Sequence, residues 1–173
     1  MVIGEYDAID TANVLRHLLS EHGFSSGTTV VMGGSAGGLT ALNTAISDAS
    51  LCAGVVVKYP VVDLVAMLHS DDPFEGHYMP ALIGSEEQAE LRSPHNSAAA
   101  LRGTPVLVFH GDQDHSVPLF HSERLRDAIE AVGGNIQWEV FAGEGHGFRN
   151  PANIAREFAV TEEFLYSLMK NAR

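Results

Sequence analysis

Three stretches carry residue types that could do nucleophilic chemistry together. The first is Gly33-Gly34-Ser35-Ala36-Gly37, in the pattern G-x-S-x-G. It follows the apolar run Val30-Val31-Met32 and passes into Leu39-Thr40-Ala41-Leu42, so it predicts a sharp strand-to-helix turn. A serine on such a turn is held in a strained backbone conformation with its hydroxyl pointing out of the sheet. Gly33 and Gly37 are expected where a Cβ would clash. The helix behind would aim unpaired N–H groups and its positive end at the same spot. The Ala36 N–H would then face a developing oxyanion. A five-residue pattern recurs by chance, so the flanking strand and helix give it its weight.

A serine hydroxyl is a poor nucleophile until a base takes its proton. His146, in Gly143-Glu144-Gly145-His146-Gly147-Phe148, is the candidate base, on a loop whose glycines could bring the ring over the serine. The loop His110-Gly111-Asp112-Gln113-Asp114-His115-Ser116-Val117-Pro118 offers the acid. Asp114 would accept a hydrogen bond from the far ring nitrogen and fix the tautomer, and Asp112, two residues earlier, could serve instead. His110 ends a strand and is read as structural. His115, His121 and Asp112 match no standard ligand spacing, so no metal is assigned, and no cofactor is called for. His77 and His95 are read as surface or pocket-lining residues.

These residues need elements to position them. The spacing predicts a helix over Gly4 to His22, with Ile9, Ala12, Leu15, Leu18 and Leu19 on its apolar face and Gly23 as a left-handed cap. Thr28 to Met32 reads as the first strand, covered on both faces. Leu39, Leu42, Ala45, Ile46 and Ala49 mark a second helix. Ala53 to Tyr59 is a strand stopped by Pro60, and Cys52 beside it reads as a small buried apolar residue. The stretch 61–102 is less regular. It holds a helical turn at Asp63 to His69, the run Asp71 to Tyr78 and an acidic stretch at Glu86-Glu87. It is expected to lie over the sheet edge and border a pocket with Tyr59 and Asn96. A third strand at Pro105 to Phe109, a helix at Phe120 to Val132, a fourth strand at Ile136 to Phe141 and a helix from about Ala152 to Met169 follow. Strands alternating with helices demand right-handed crossovers and a parallel sheet with helices on both faces. Ser35, Asp114 and His146 each lie on a loop at the carboxyl rim of such a sheet, where ligand sites form. Their chain order, Ser…Asp…His, is that of α/β-hydrolases.

The 173 residues suffice for one domain with a sizeable core. A net charge of -12 argues against nucleic acid or an anionic membrane as partner. One cysteine excludes an internal disulfide. No apolar run approaches the roughly 18–20 residues that span a bilayer, and no signal peptide is recognised, so a cytoplasmic location is expected.

Taken together, Gly33-Gly34-Ser35-Ala36-Gly37-Gly38, His110-Gly111-x-x-Asp114-x-x-Val117-Pro118, Gly143-Glu144-Gly145-His146-Gly147-Phe148 and Arg92-Ser93-Pro94 resemble the C-terminal part of the catalytic domain of the prolyl oligopeptidase family. The nearest members are acylaminoacyl-peptidase and dipeptidyl-peptidase-like. The resemblance covers nearly the whole chain. It implies Ser35 as nucleophile, Asp114 rather than Asp112 as acid, and His146 as base. The implied activity is hydrolysis of peptide or acyl-aminoacyl bonds through an acyl-enzyme, with a peptide or acyl-peptide as substrate. A small carboxylesterase on the same fold, or a non-catalytic remnant with an incomplete oxyanion hole, are the alternatives. Family members usually carry a propeller domain, the first half of the sheet and an upstream oxyanion loop. The expectation for residues 1–173 is therefore a partial α/β-hydrolase domain truncated at its N-terminus. Its first strand would lie at an exposed edge, and another chain or an oligomer could complete the sheet.

Overall fold

The computed structural model describes residues 3–70 and 79–171. Four strands, β1 (Val30–Gly34), β2 (Gly54–Lys58), β3 (Val106–Gly111) and β4 (Ile136–Phe141), form one parallel sheet in the order β1-β2-β3-β4. The helices are α1 (Tyr6–Glu21), α2 (Ala36–Ser47), α3 (Leu64–Leu68), α4 (Met79–Ile83), α5 (Glu86–Arg92), α6 (Phe120–Ala131) and α7 (Pro151–Asn171). Because the chain steps across the sheet in one direction, right-handed crossovers put its connections on the same face. There α2, α6 and the 3-10 segment Pro94–Leu101 pack on Val31, Val55, Val57, Val106 and Val108. After β4 the chain returns as α7 on the opposite face, against Val56, Leu107, Phe109 and Phe141. The period of two along each strand divides these two sets of side chains. Every residue of β3, and all of β2 but Lys58, is buried, as interior parallel strands require.

Among the described residues β1 pairs with β2 alone and lies at the edge, as the sequence predicts. Its boundaries and burial differ from expectation. Ser26–Thr28 forms a 3-10 turn, so the strand begins two residues later than predicted. Only Val31 is buried in it, and Met32 is 54% exposed. An edge strand has one neighbour, so covering both of its faces needs more helix than α2 and α7 provide. β4 forms the other edge, where the Arg126 guanidinium lies 4.4 Å above the Trp138 ring.

Helix α1 lies on α2. The Asp7 carboxylate accepts from the Thr40 hydroxyl, and the Asn43 amide donates to the carbonyls of Gly4 and Arg92. Its apolar face is narrower than predicted. Ala8 and Ala12 are buried, whereas Ile9 is 45% exposed. Gly23 follows α1 with φ +68°, the left-handed cap expected there.

The described parts of the stretch after β2 pack chiefly on helices. Its 3-10 segment sits between α2 and α6, burying Ala98 and Leu101 in the core of that face. α3, α4 and α5 cluster beside Leu39 of α2 through Leu64, Met67, Met79, Ile83 and Ala89. Asp63 caps α3 by accepting from the Ala66 N–H, and Ser85 and Gln88 form a capping box on α5. The expectations for Asp71 to Tyr78, His77 included, lie outside the described residues. Cys52 is buried, as read from the sequence, and burial pushes its thiol pKa up. Among the described residues no helix is long and apolar enough to cross a membrane.

Candidate active site

β1 ends at Gly34 and α2 begins at Ala36, so Ser35 alone makes the turn. Its backbone sits at φ 56°, ψ -124°, a region that disfavours a side chain. Neighbouring hydrogen bonds hold it there. The Ser35 N–H donates to the Lys58 carbonyl at 2.9 Å, and its carbonyl accepts from Gly38, Leu39 and Val61. The Ser35 side chain does not cap α2 and is free to point outward. The Ala36 N–H, first in α2, donates to no acceptor among the described residues.

The glycines divide the labour differently from expectation. A Cβ on Gly33 would lie 2.1 Å from the Gly37 carbonyl oxygen, and one on Gly38 would lie 2.7 Å from the Pro60 side chain. A Cβ on Gly37 would meet nothing within 4 Å. The close approach therefore needs Gly33 and Gly38, while Gly37 contributes a carbonyl. Gly37→Ala is expected to keep the fold and, by helix propensity, to gain up to about 1 kcal/mol in urea unfolding. A loss of similar size would show that the elbow tolerates no side chain there.

The loops after β3 and β4 bring the other two groups to this turn. His146 Nε2 lies 3.0 Å from Ser35 Oγ, and His146 Nδ1 lies 2.8 Å from Asp114 Oδ2. The other Asp114 oxygen accepts from the N–H groups of Ser116 and Val117. Burial would raise the Asp114 pKa, but hydrogen bonds from His110, Val117 and His146 outweigh it and hold the carboxyl below its usual range. An ionised Asp114 keeps the proton on Nδ1 and leaves Nε2 free to accept one from the serine. Such a chain can transfer an acyl group to a serine oxygen.

The sequence reading passed over Glu144. It is buried, and its carboxylate accepts from the N–H groups of Arg149 and Asn150 and from the Asn153 amide. Those bonds, the Asn153 one foremost, hold its pKa down. They fold the 142–150 loop over itself and set the height of His146. Gly111 allows the approach, since a Cβ there would lie 2.2 Å from the Glu144 carbonyl oxygen. An acidic residue among glycines, two before the histidine, was the available signal.

The remaining candidates separate. Tyr59, at φ 37°, packs its ring 4.6 Å from the His146 ring and 5.5 Å from Phe148, so it buttresses the imidazole. Asn96 is not brought to the site. Its amide donates to the Glu90 carbonyl, and it lines a shallow groove with Glu87, Glu90, Leu91 and Ser97. Asp112 caps the neighbouring turn by accepting from the Gly143 N–H, leaving Asp114 to meet His146. His110 is fully buried between Ser122 and the Val117 carbonyl. His121 is buried with Nδ1 accepting from Val62 and Asp63, while His115 is exposed, so these two and Asp112 serve different places. The groove at His146 is formed by the loops after β3 and β4 rather than by the 61–102 stretch.

A parallel sheet covered by helices on both faces, with a serine elbow at its carboxyl rim and the order Ser…Asp…His, defines the α/β-hydrolase class. Within that class the chain belongs to the prolyl oligopeptidase family of serine hydrolases, whose sequence profile matches residues 2–172. It is 30% identical over 146 residues to dipeptidyl aminopeptidase BIII of Pseudoxanthomonas mexicana, covering 78% of this chain and 21% of that one. It is also 26% identical over 99 residues to isoprenylcysteine alpha-carbonyl methylesterase of Arabidopsis thaliana, covering 54% and 23%. Among solved structures, a puromycin hydrolase is similar at a TM-score of 0.90 and 31% identity, over 97% of this chain and 26% of that one. The chain thus spans about a quarter of the length of these relatives.

Proposed function

We propose that this chain hydrolyses peptide or acyl-aminoacyl bonds through an acyl-enzyme on Ser35, His146 and Asp114. The observation that carries the reading is the continuous hydrogen-bonded path from Ser35 Oγ through His146 to Asp114. Ser35 Oγ attacks the acyl carbon while His146 Nε2 takes its proton, and Asp114 steadies the imidazolium. The Ala36 N–H holds the developing oxyanion. His146 then protonates the leaving amine, and water repeats the sequence to release the acid. A peptidase and a puromycin hydrolase among the similar proteins favour amide substrates. The methylesterase favours a second reading, a carboxylesterase on the same site.

A fluorophosphonate probe tests the nucleophile. Covalent labelling of folded protein that disappears in Ser35→Ala is the expected result. Folded protein that takes no label would point to a non-catalytic remnant and remove the proposal. A panel of p-nitrophenyl esters against aminoacyl and acyl-peptide anilides then separates esterase from peptidase by the ratio of kcat/KM.

A further inference from the structure

We propose that the groove beside His146 is an anion-reading site for the leaving group, one that selects an amino acid or short peptide bearing a free carboxylate. The proposal rests on the hydrolase reading above. Its volume is about 850 Å³, within the range of small-ligand sites. The loops after β3 and β4 line it through Gln113, His115, Ser116, His146, Arg149 and Asn150, and no residue of the β1–α2 elbow takes part.

Chemistry assigns the side. As the bond from Ser35 Oγ to the acyl carbon forms and the carbon–nitrogen bond breaks, the serine proton passes through His146 Nε2 to the departing nitrogen. The leaving group must therefore lie on the imidazole side of Ser35, away from the Ala36 N–H that holds the carbonyl oxygen. The groove begins at that imidazole.

Charge assigns the ligand. The chain is strongly acidic, and half of its ten lysine and arginine side chains are engaged by carboxylates. Arg16, Lys58, Arg124, Arg126 and Arg156 each pair with a carboxylate. Arg149 is exposed, lines the groove and forms no ion pair among the described residues. The buried Glu144 carboxylate attracts it, but both oxygens of that carboxylate already accept N–H groups of the loop and of Asn153. The guanidinium fork is thus left for a planar anion, which it can hold in bidentate fashion. His115, Gln113 and Asn150 add polar groups beside it.

The test uses N-acetyl-alanyl-alanine, its C-terminal amide and N-acetyl-alanine p-nitroanilide. Wild-type kcat/KM is expected to favour the acid over the amide by about tenfold, the scale of one charge-assisted hydrogen-bonded pair. Arg149→Gln should bring that ratio to about one, and Arg149→Lys should retain part of it because the charge remains. The ratio is internal to each protein, so an overall change in activity does not mimic it. A wild-type ratio at or below one, or an Arg149→Gln ratio equal to wild type, would overturn the site alone if the anilide is still cleaved and the probe still labels Ser35. Failure of labelling and of all three substrates would instead overturn the hydrolase reading, and this site with it.

Discussion

Ser35→Ala, His146→Ala and the double variant are expected to reach the same floor, about 10⁶-fold below wild-type turnover of the best amide substrate. The geometry explains why the losses do not multiply. The 3.0 Å contact between Ser35 Oγ and His146 Nε2 makes the pair one chemical unit. A serine without the imidazole keeps its proton, and an imidazole without the serine has nothing to activate. Asp114→Asn is expected to cost less, about 10⁴-fold, because it leaves both reacting groups in place. The amide Nδ2 would donate to His146 Nδ1 and turn the imidazole into the tautomer whose Nε2 carries a proton. Single-turnover rates for the three single variants and the double variant provide the check. A double variant that loses the product of the two single losses would show that the residues act separately and that the 2.8 Å and 3.0 Å contacts are incidental.

The second large effect concerns acid stability. His121 is 1% exposed, and its Nδ1 accepts from the Val62 N–H at 3.2 Å and the Asp63 N–H at 3.1 Å. A proton on that nitrogen would face two donors. Burial foremost, then the His110 and His95 rings, push its pKa from 6.5 to about 4, against a small opposing pull from Asp114. The unfolded chain takes up this proton near pH 6.5, while the folded chain resists until about pH 4. In that window the unfolded state binds more protons, so the stability of the fold falls as the pH falls. The loss from this group amounts to about 3 kcal/mol, and its slope ends below about pH 4. Asp114 contributes with the opposite charge logic. Its folded pKa is depressed, so its stabilisation is present above the unfolded carboxylate pKa of about 3.9 and is lost only below it. The two windows therefore separate. His121→Asn can keep an acceptor for Val62 and Asp63 without titrating. Urea unfolding from about pH 7 to pH 4.5 should show a shallower slope for this variant than for wild type. Equal slopes would remove His121 as the cause.

This histidine bears on the elbow as well. It holds Val62 and Asp63, and the Val61 N–H next to them donates to the Ser35 carbonyl at 3.2 Å. Loss of the buried bonds at His121 thus loosens one of the contacts that keep Ser35 in its strained conformation.

Much of this was legible in the residue pattern because it depends on local rules. An apolar strand, a small-residue turn and an amphipathic helix predicted the elbow at Ser35, and the alternation of strands and helices predicted a parallel sheet with its loops on one rim. The order of Ser35, Asp114 and His146 along the chain then placed all three on that rim. What was not legible depends on packing between distant segments. Ile9 fits the apolar stripe of α1 but is exposed, because α2 covers only the side carrying Ala8 and Ala12. Asn96 looked free to line a pocket, yet its amide is spent on the Glu90 carbonyl. Asp112 and Asp114 could not be separated by spacing alone. They part in three dimensions because Asp112 turns to the Gly143 N–H while Asp114 is buried under His146. Gly37 was expected at a close approach that falls on Gly38 for a similar reason, since the crowding at Gly38 comes from Pro60, twenty-two residues downstream by numbering.

The sheet order has a practical consequence for any spectroscopy on this chain. Ser35 leaves the strand at one margin of the sheet, and Trp138, the sole tryptophan, sits in the strand at the other margin beneath Arg126. Indole emission therefore monitors the margin remote from the chemistry. Turnover that fades while the emission holds steady would locate the first loosening at the serine's own strand, ahead of global unfolding.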